Sequence, residues 1–343
     1  MIYGCQNQIL KLLSVNNNLS GLVVQQKEEN SVQVLLVGLG KVGMTYDLNA
    51  PANQILTHAR AIDSWSKSTK TPVNIVGVDV NEKTKEPFYN LFKSGEWFPS
   101  ISSIETKKHF DLAIIATPIS SIAQDTFNVC TSLEVNKFVI EKPAASNLTE
   151  LKTLMTLPKS ETNFIVGFPR PALPSSSYLK TLIESFGKSE NWEVDIYYAG
   201  TILNILSHFL NLVEFLIEPF TLDSYSYSTD GFLQARFISS SGRLLIRTHQ
   251  YGNINDEANK IYIEGPISIF YSRSGRSIEI TPKSRKLEQE LVESDYNQEI
   301  SSMIGNFANK YMSWVSLNEA NLFTHLNSVS LIETIRLAEA VNV

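Results

Sequence analysis

Residues Val34 to Gly43 read Val-Leu-Leu-Val-Gly-Leu-Gly-Lys-Val-Gly, and no other stretch constrains this chain as tightly. An apolar run emptying into Gly38, Gly40 and Gly43 is how a strand turns into a helix around a dinucleotide pyrophosphate. Gly38 allows a tight turn, Gly40 lets backbone approach the phosphates, and Gly43 lets the helix pack on the strand. The start of that helix then offers free N–H groups to an anion. The preceding Val32, Val34, Leu35, Leu36 and Val37 are apolar, as expected for a strand buried on both faces. Gly38, Gly40, Lys41, Val42 and Gly43 are therefore the first expected cofactor contacts.

A second apolar run, Val73 to Val78, ends at Asp79. A carboxylate at the tip of the second strand accepts hydrogen bonds from the adenosine ribose hydroxyls. Asp79 lies about 40 residues beyond Gly38, roughly twice the usual separation. Tyr46 to Gln54 has the Asn, Asp and Pro content of a loop, and Ile55 to Ser66 resumes helical spacing, so an insertion is placed there. No Arg or Lys follows Asp79 until Lys83, which favours NAD over NADP because a 2′-phosphate needs a nearby cation.

From residue 32 to about 145, strand and helix patterns alternate, which predicts βαβ units and a parallel sheet. Strands are expected near 33–38, 74–79, 111–116 and 136–140, with helices near 55–66, 82–93, 120–132 and 146–156. Two of these strands run into Thr117-Pro118 and into Glu141-Lys142-Pro143. Ligands sit at the carboxyl ends of such strands, so Thr117, Pro118 and Glu141 join the expected cofactor contacts. A further strand near 163–168 leads to Arg170, and a helix covers about 175–186.

The pattern then changes. Seven short β-rich runs between 192 and 281 are separated by turn signals, which implies a mainly antiparallel sheet. One long apolar segment, Ile202 to Ile217, reads as a helix crossing that sheet, and helices near 295–315 and 319–340 close the chain. A length of 343 residues with 43% hydrophobic content supports two domains, taken as 32–145 and 146–343. Residues 1–31 carry an apolar patch but neither a basic leader nor a small-residue cleavage site, and are expected to be an appendage that packs on the domain or on a partner subunit.

A net charge of −6 without a run of like charge leaves no footprint for nucleic acid or an anionic membrane. No apolar stretch reaches the roughly 18 residues that span a bilayer. Cys5 and Cys130 are too few for a disulfide framework, and no His, Cys, Asp and Glu grouping has metal-ligand spacing. A reducing cytoplasm and small-molecule partners are the expectation.

Two positions could carry chemistry. Within 202–217, Asn204, His208 and Asn211 fall at i, i+4 and i+7, a polar stripe on an apolar helix. His208 is either a hydrogen-bonded core residue or a base that takes a proton from a hydroxyl as hydride leaves the same carbon. Lys142 is either a surface lysine or a donor that stabilises charge on a substrate oxygen, with Glu141 orienting it. Arg170 could meet a phosphate or carboxylate, or tie two segments together. His58 faces the cofactor edge or serves structure. Tyr197, Tyr198, Tyr225 and Tyr227, at strand spacing, read as sheet-face or interface residues.

Gly38-Leu-Gly-Lys-Val-Gly43, Thr117-Pro118, Glu141-Lys142-Pro143, Gly167 to Arg170 and the helix with His208 resemble, in order and approximate spacing, the glucose-fructose oxidoreductase, inositol dehydrogenase and MocA family. The resemblance covers about residues 32–340. It implies an α/β protein with an N-terminal Rossmann parallel sheet and a C-terminal α/β domain whose open, mainly antiparallel sheet supports a dimer or tetramer. It implies NAD(P)-dependent redox chemistry on a sugar, cyclitol or nucleotide-sugar hydroxyl, with Lys142 and His208 as the catalytic pair and the Lys142–Pro143 peptide cis; Asn204, Asn211 and Arg170 are then the expected substrate contacts, and Asp79 makes NAD the expected cofactor. The chain departs from the family at Asn204 and Asn211, where Asp is usual. Asn holds a hydroxyl but cannot act as a base. The alternatives are a non-catalytic NAD-binding sensor or scaffold, and an enzyme that uses tightly bound NAD for transient oxidation.

Overall fold

The computed structural model describes residues 31–51, 54–157, 163–187, 189–251, 259–272, 277–282, 290–291, 302–317 and 324–341. Residues 1–30 of the expected appendage, Cys5 among them, lie outside the described residues.

Six strands build a parallel sheet: β1 (Val32–Val37), β2 (Val73–Val78), β3 (Glu96–Phe98), β4 (His109–Ile115), β5 (Glu134–Glu141) and β6 (Phe164–Gly167). Their order is β3-β2-β1-β4-β5-β6. The chain direction reverses its progress across the sheet between β1 and β4, the topological switch point where such sheets bind ligands. Val34 and Leu36 point to one face, against Ile62 and Trp65 of α1 (His58–Thr69) and Tyr311 of α7 (Met303–Leu317). Leu35 and Val37 point to the other, against Ile122 and Val129 of α3 (Ile119–Ser132). Each such aliphatic side chain contributes about 1.5–3 kcal/mol on burial. Continuous apolar sequence in β1 thus follows from burial on both faces.

Helices α2 (Lys85–Leu91) and α4 (Leu148–Met155) fill two further crossovers. The sheet takes its last strand, β6, from beyond residue 145, since Glu141 of β5 pairs in register with Gly167. Sequence periodicity missed β3, which is only three residues long.

The glycine run does not open a long helix. A single wide helical turn, Lys41–Thr45, follows it, and α1 begins only at His58. The expected insertion lies between them and is organised by its own polar groups. Buried Asp47 accepts the Leu56 and Thr57 backbone N–H groups at 2.7 and 3.0 Å and the Thr57 hydroxyl at 2.8 Å. Arg60 Nη1 donates to the carbonyls of Asp47 and Ala50 at 2.8 and 3.1 Å. Thr57 then caps α1 by accepting the Arg60 N–H at 3.2 Å.

A second, eight-stranded sheet runs β14-β13-β12-β11-β7-β10-β9-β8. Its strands are β7 (Trp192–Ala199), β8 (Thr221–Tyr227), β9 (Leu233–Ile238), β10 (Leu244–Tyr251), β11 (Lys260–Glu264), β12 (Ile267–Ser272), β13 (Ser277–Pro282) and β14 (Glu290–Leu291). Only β7 and β10 pair in parallel, so the sheet is mixed and mainly antiparallel. Strict alternation puts Trp192, Val194, Ile196 and Tyr198 on the buried face and Glu193, Asp195 and Tyr197 on the other. The buried face packs on α5 (Pro174–Ser185) and α6 (Ser207–Leu216). The last helix, α8 (Val329–Val341), packs on α6. Among the described residues, no helix is long and apolar enough to cross a membrane.

Candidate active site

A groove of about 1150 Å³ opens at the carboxyl ends of the parallel strands, and Gly38, Gly40, Lys41, Val42, Asp79, Thr117 and Pro118 line it. Local geometry explains the glycines. Gly38 has φ +90°, and a Cβ there would come 2.5 Å from the Ala116 carbonyl oxygen. A Cβ on Gly43 would come 1.9 Å from the Gly38 carbonyl oxygen, so the wide turn can close on the strand end only without a side chain. At Gly40 the Cβ direction is open, which leaves bare backbone facing the groove.

Asp79 holds this loop in place. One carboxylate oxygen accepts the Leu39 N–H at 2.7 Å and the other the Asn81 N–H at 2.8 Å. The Thr117 hydroxyl oxygen is buried and has no hydrogen-bond partner among the described residues. A bare glycine backbone, a fixed carboxylate and an unpaired hydroxyl along one groove fit the diphosphate and ribose of a dinucleotide. Sequence reasoning missed the far wall, where Pro99, Ser100 and Ile101 follow β3 and Asp125 comes from α3. The Pro99-Ser100 turn after Trp97-Phe98 was the available signal.

Beyond the switch point, β5 delivers Glu141 and Lys142 three strand spacings from the end of β2, about 14 Å across the sheet. The Lys142–Pro143 peptide is cis. Lys142 Nζ donates to the Asn204 carbonyl at 3.0 Å, linking the parallel sheet to the segment that precedes α6. Glu141 is buried. Its Oε1 lies 2.9 Å from His58 Nε2, and its Oε2 accepts the Lys142 backbone N–H at 3.2 Å. His58 is thus a partner of the site's carboxylate.

His208 lies at the same junction. Its ring meets Phe168 edge-on with centroids 5.9 Å apart, and its Nδ1 is buried without a hydrogen-bond partner among the described residues. Burial, followed by the positive charges of Lys142 and Arg170, holds the His208 pKa well below the ordinary imidazole value. Burial also lowers Lys142, with Glu141 opposing that shift and Arg170 adding to it. Arg170 packs its guanidinium 5.3 Å from the centre of the Phe209 ring. Lys142 and Arg170 thus lie near enough for their charges to weigh against a proton on the buried imidazole.

Asn204 reaches this cluster through its backbone, and its own side chain is exposed. Asn211 does not join it. Its amide nitrogen donates to Thr324 Oγ1 at 2.7 Å and Ser330 Oγ at 3.3 Å, in a separate pocket with Lys180 and Glu214. The expected stripe breaks because residues 202–206 form a wide turn before α6 begins. Such a turn holds more residues per revolution and takes Asn204 out of line with His208, while Asn211 follows His208 within regular α6. Among the described residues, no group of His, Cys, Asp and Glu is arranged to hold a metal ion.

A six-stranded parallel sheet with a phosphate-type glycine loop at its switch point, followed by a mixed eight-stranded sheet, defines a two-part α/β architecture of the dinucleotide-binding type. The solved structures it resembles share that build. Gal80p, a transcriptional regulator from Kluyveromyces lactis, is 15% identical with a TM-score of 0.69, covering 90% of this chain and 91% of its own. The WlbA dehydrogenase of Bordetella pertussis, in complex with NADH and UDP-GlcNAcA, is 15% identical with a TM-score of 0.68, covering 91% and 94%. Levoglucosan dehydrogenase, in complex with NADH and levoglucosan, is 13% identical with a TM-score of 0.68, covering 91% and 98%. No family model matches the chain, and no curated protein matches it in sequence. At these identities the likeness establishes the fold, which is that of the glucose-fructose oxidoreductase, inositol dehydrogenase and MocA type.

Proposed function

We propose that the protein is an NAD-dependent oxidoreductase acting on a hydroxyl carbon of a sugar, cyclitol or nucleotide sugar. The observation that carries this reading is the hydrogen bond from Lys142 Nζ to the Asn204 carbonyl, which ties the carboxyl end of β5, three strands from Asp79, to the segment that leads into His208. When bound, the nicotinamide supplies the hydride acceptor or donor. Neutral His208 takes the proton of the substrate hydroxyl, which an imidazolium could not do. Lys142 donates a hydrogen bond to the same oxygen and stabilises its developing charge. Arg170 adds positive potential, and the exposed Asn204 amide holds a neighbouring hydroxyl as donor or acceptor.

Asp79 favours NAD over NADP, since its carboxylate repels a 2′-phosphate. The open face of the second sheet suits a homo-oligomer, and the low cysteine content suits the cytoplasm. Incubation with NAD and a panel of sugars and sugar nucleotides should raise nicotinamide absorbance, and His208→Ala should lower kcat by about 100-fold or more. No turnover with any of them, together with an unaltered His208→Ala protein, would count against the reading.

A second reading has its own support. Asn at 204 and 211, with Asn211 sealed against Thr324 and Ser330, and a fold shared with a transcriptional regulator favour a dinucleotide-binding sensor. Tight NAD binding by calorimetry without hydride exchange would select it.

A further inference from the structure

A buried polar chain that the proposed reaction does not use ends on the backbone N–H of Lys142. Glu141 directly precedes that lysine, and both its carboxylate oxygens are engaged: Oε1 with His58 Nε2 at 2.9 Å, Oε2 with the Lys142 N–H at 3.2 Å. His58 Nδ1 lies 3.1 Å from the Tyr311 hydroxyl. His58 and Tyr311 both have 0% exposure. The arrangement that uses every donor and acceptor has Tyr311 O–H donating to Nδ1 and Nε2–H donating to the carboxylate.

The chain is built into the fold at both ends. Opposite Glu141 in the sheet stands Gly167, where a Cβ would come 2.9 Å from Oε1 and 3.3 Å from the Glu141 Cα. The insertion clasp of Asp47 and Thr57 sets the start of α1, and with it His58. Three segments remote in sequence, α1, β5 and α7, meet in this one chain. Around Lys142 the charged and titratable groups are Glu141 from β5, Arg170 after β6 and His208 from α6. Glu141 is the negative one.

We propose that His58 and Tyr311 are positioning residues, which through Glu141 hold a fixed carboxylate beside the Lys142 ammonium so that the donor stays charged in a buried, cation-rich site. This rests on the reading of Lys142 as the group that meets the substrate oxygen, but its test needs no turnover. Trace acetylation of the full chain with acetic anhydride across pH, with Lys142 followed by peptide mass spectrometry, gives the midpoint of that lysine's titration. Glu141→Gln should lower the midpoint by about 1 pH unit or more. Tyr311→Phe and His58→Ala should move it in the same direction by less, and His58→Gln, which keeps an amide donor for Oε1, should recover part of the shift.

A merely structural role would lower thermal stability and leave the midpoint where it is. Unchanged midpoints in both Tyr311→Phe and His58→Ala, or in Glu141→Gln, overturn the proposal. Should His58→Ala fail to fold, Tyr311→Phe, which removes one oxygen, decides alone. A shifted midpoint in a protein that oxidises no sugar would sink the oxidoreductase reading and support the positioning role.

Discussion

His208 and Lys142 titrate in ways that their surroundings set, and the pH dependence of turnover should show it. On the proposed reading, oxidation needs neutral His208. Burial and two nearby cations lower its pKa, so activity should persist as pH falls through 6.5 and be lost only at more acid pH. The same reading needs charged Lys142, whose pKa burial lowers, so the alkaline limb should fall earlier than for an ordinary lysine. A kcat/KM profile checks both limbs, and an acid limb at or above 6.5 would contradict the environment described for His208. These residues were legible as types and positions. The surroundings that tune them were not, because Arg170, His208 and Lys142 meet only when two sheets come together.

At the element scale the insertion is the informative case. A loop between Gly43 and α1 could be read from its Asn, Asp and Pro content, but its internal clasp could not. Asp47 is 1% exposed and satisfies two backbone N–H groups and one hydroxyl. Asp47→Ala would orphan those donors and should cost about 3 kcal/mol in denaturant unfolding. A loss below about 0.5 kcal/mol would show that water replaces the carboxylate and that the clasp does not hold α1 in place. Residues 202–217 are a second such case. Periodicity assumes a uniform helix, whereas residues 202–206 wind more widely and shift Asn204 out of line with His208; Asn211, inside regular α6, meets Thr324 and Ser330 because the last helix packs against that side. The shortest strands, β3 and β14, carry too few residues to show any period.

At the scale of the whole molecule, the second sheet leaves one face uncovered among the described residues. Tyr197 stacks on His249 with centroids 4.7 Å apart, and Tyr262 on Phe270 at 4.5 Å. Arg247 pairs with Asp195 and Glu193 on the same face, each at 2.8 Å. Aromatic groups interleaved with paired charges suit a surface that meets its own copy. Tyr198, by contrast, lies on the buried side, while Tyr225 and Tyr227 donate to the carbonyls of Ala340 and Val341. Tyr197→Arg should reduce the mass seen by light scattering from an oligomer to a monomer, and an unchanged mass would place any interface elsewhere.

The sequence alone determined the two sheet types and the identity of the residues at the carboxyl ends of the parallel strands. It could do so because burial on both faces makes a parallel strand apolar throughout, burial on one face makes an antiparallel strand alternate, and a tight turn admits only glycine. Tertiary structure alone decided which of those residues meet. That His58 completes Glu141, that Arg170 joins Lys142 and His208, and that Asn211 turns away all depend on contacts between segments far apart in the chain. No local pattern encodes them, because hydrogen bonds and charge pairing act through space and not along the backbone.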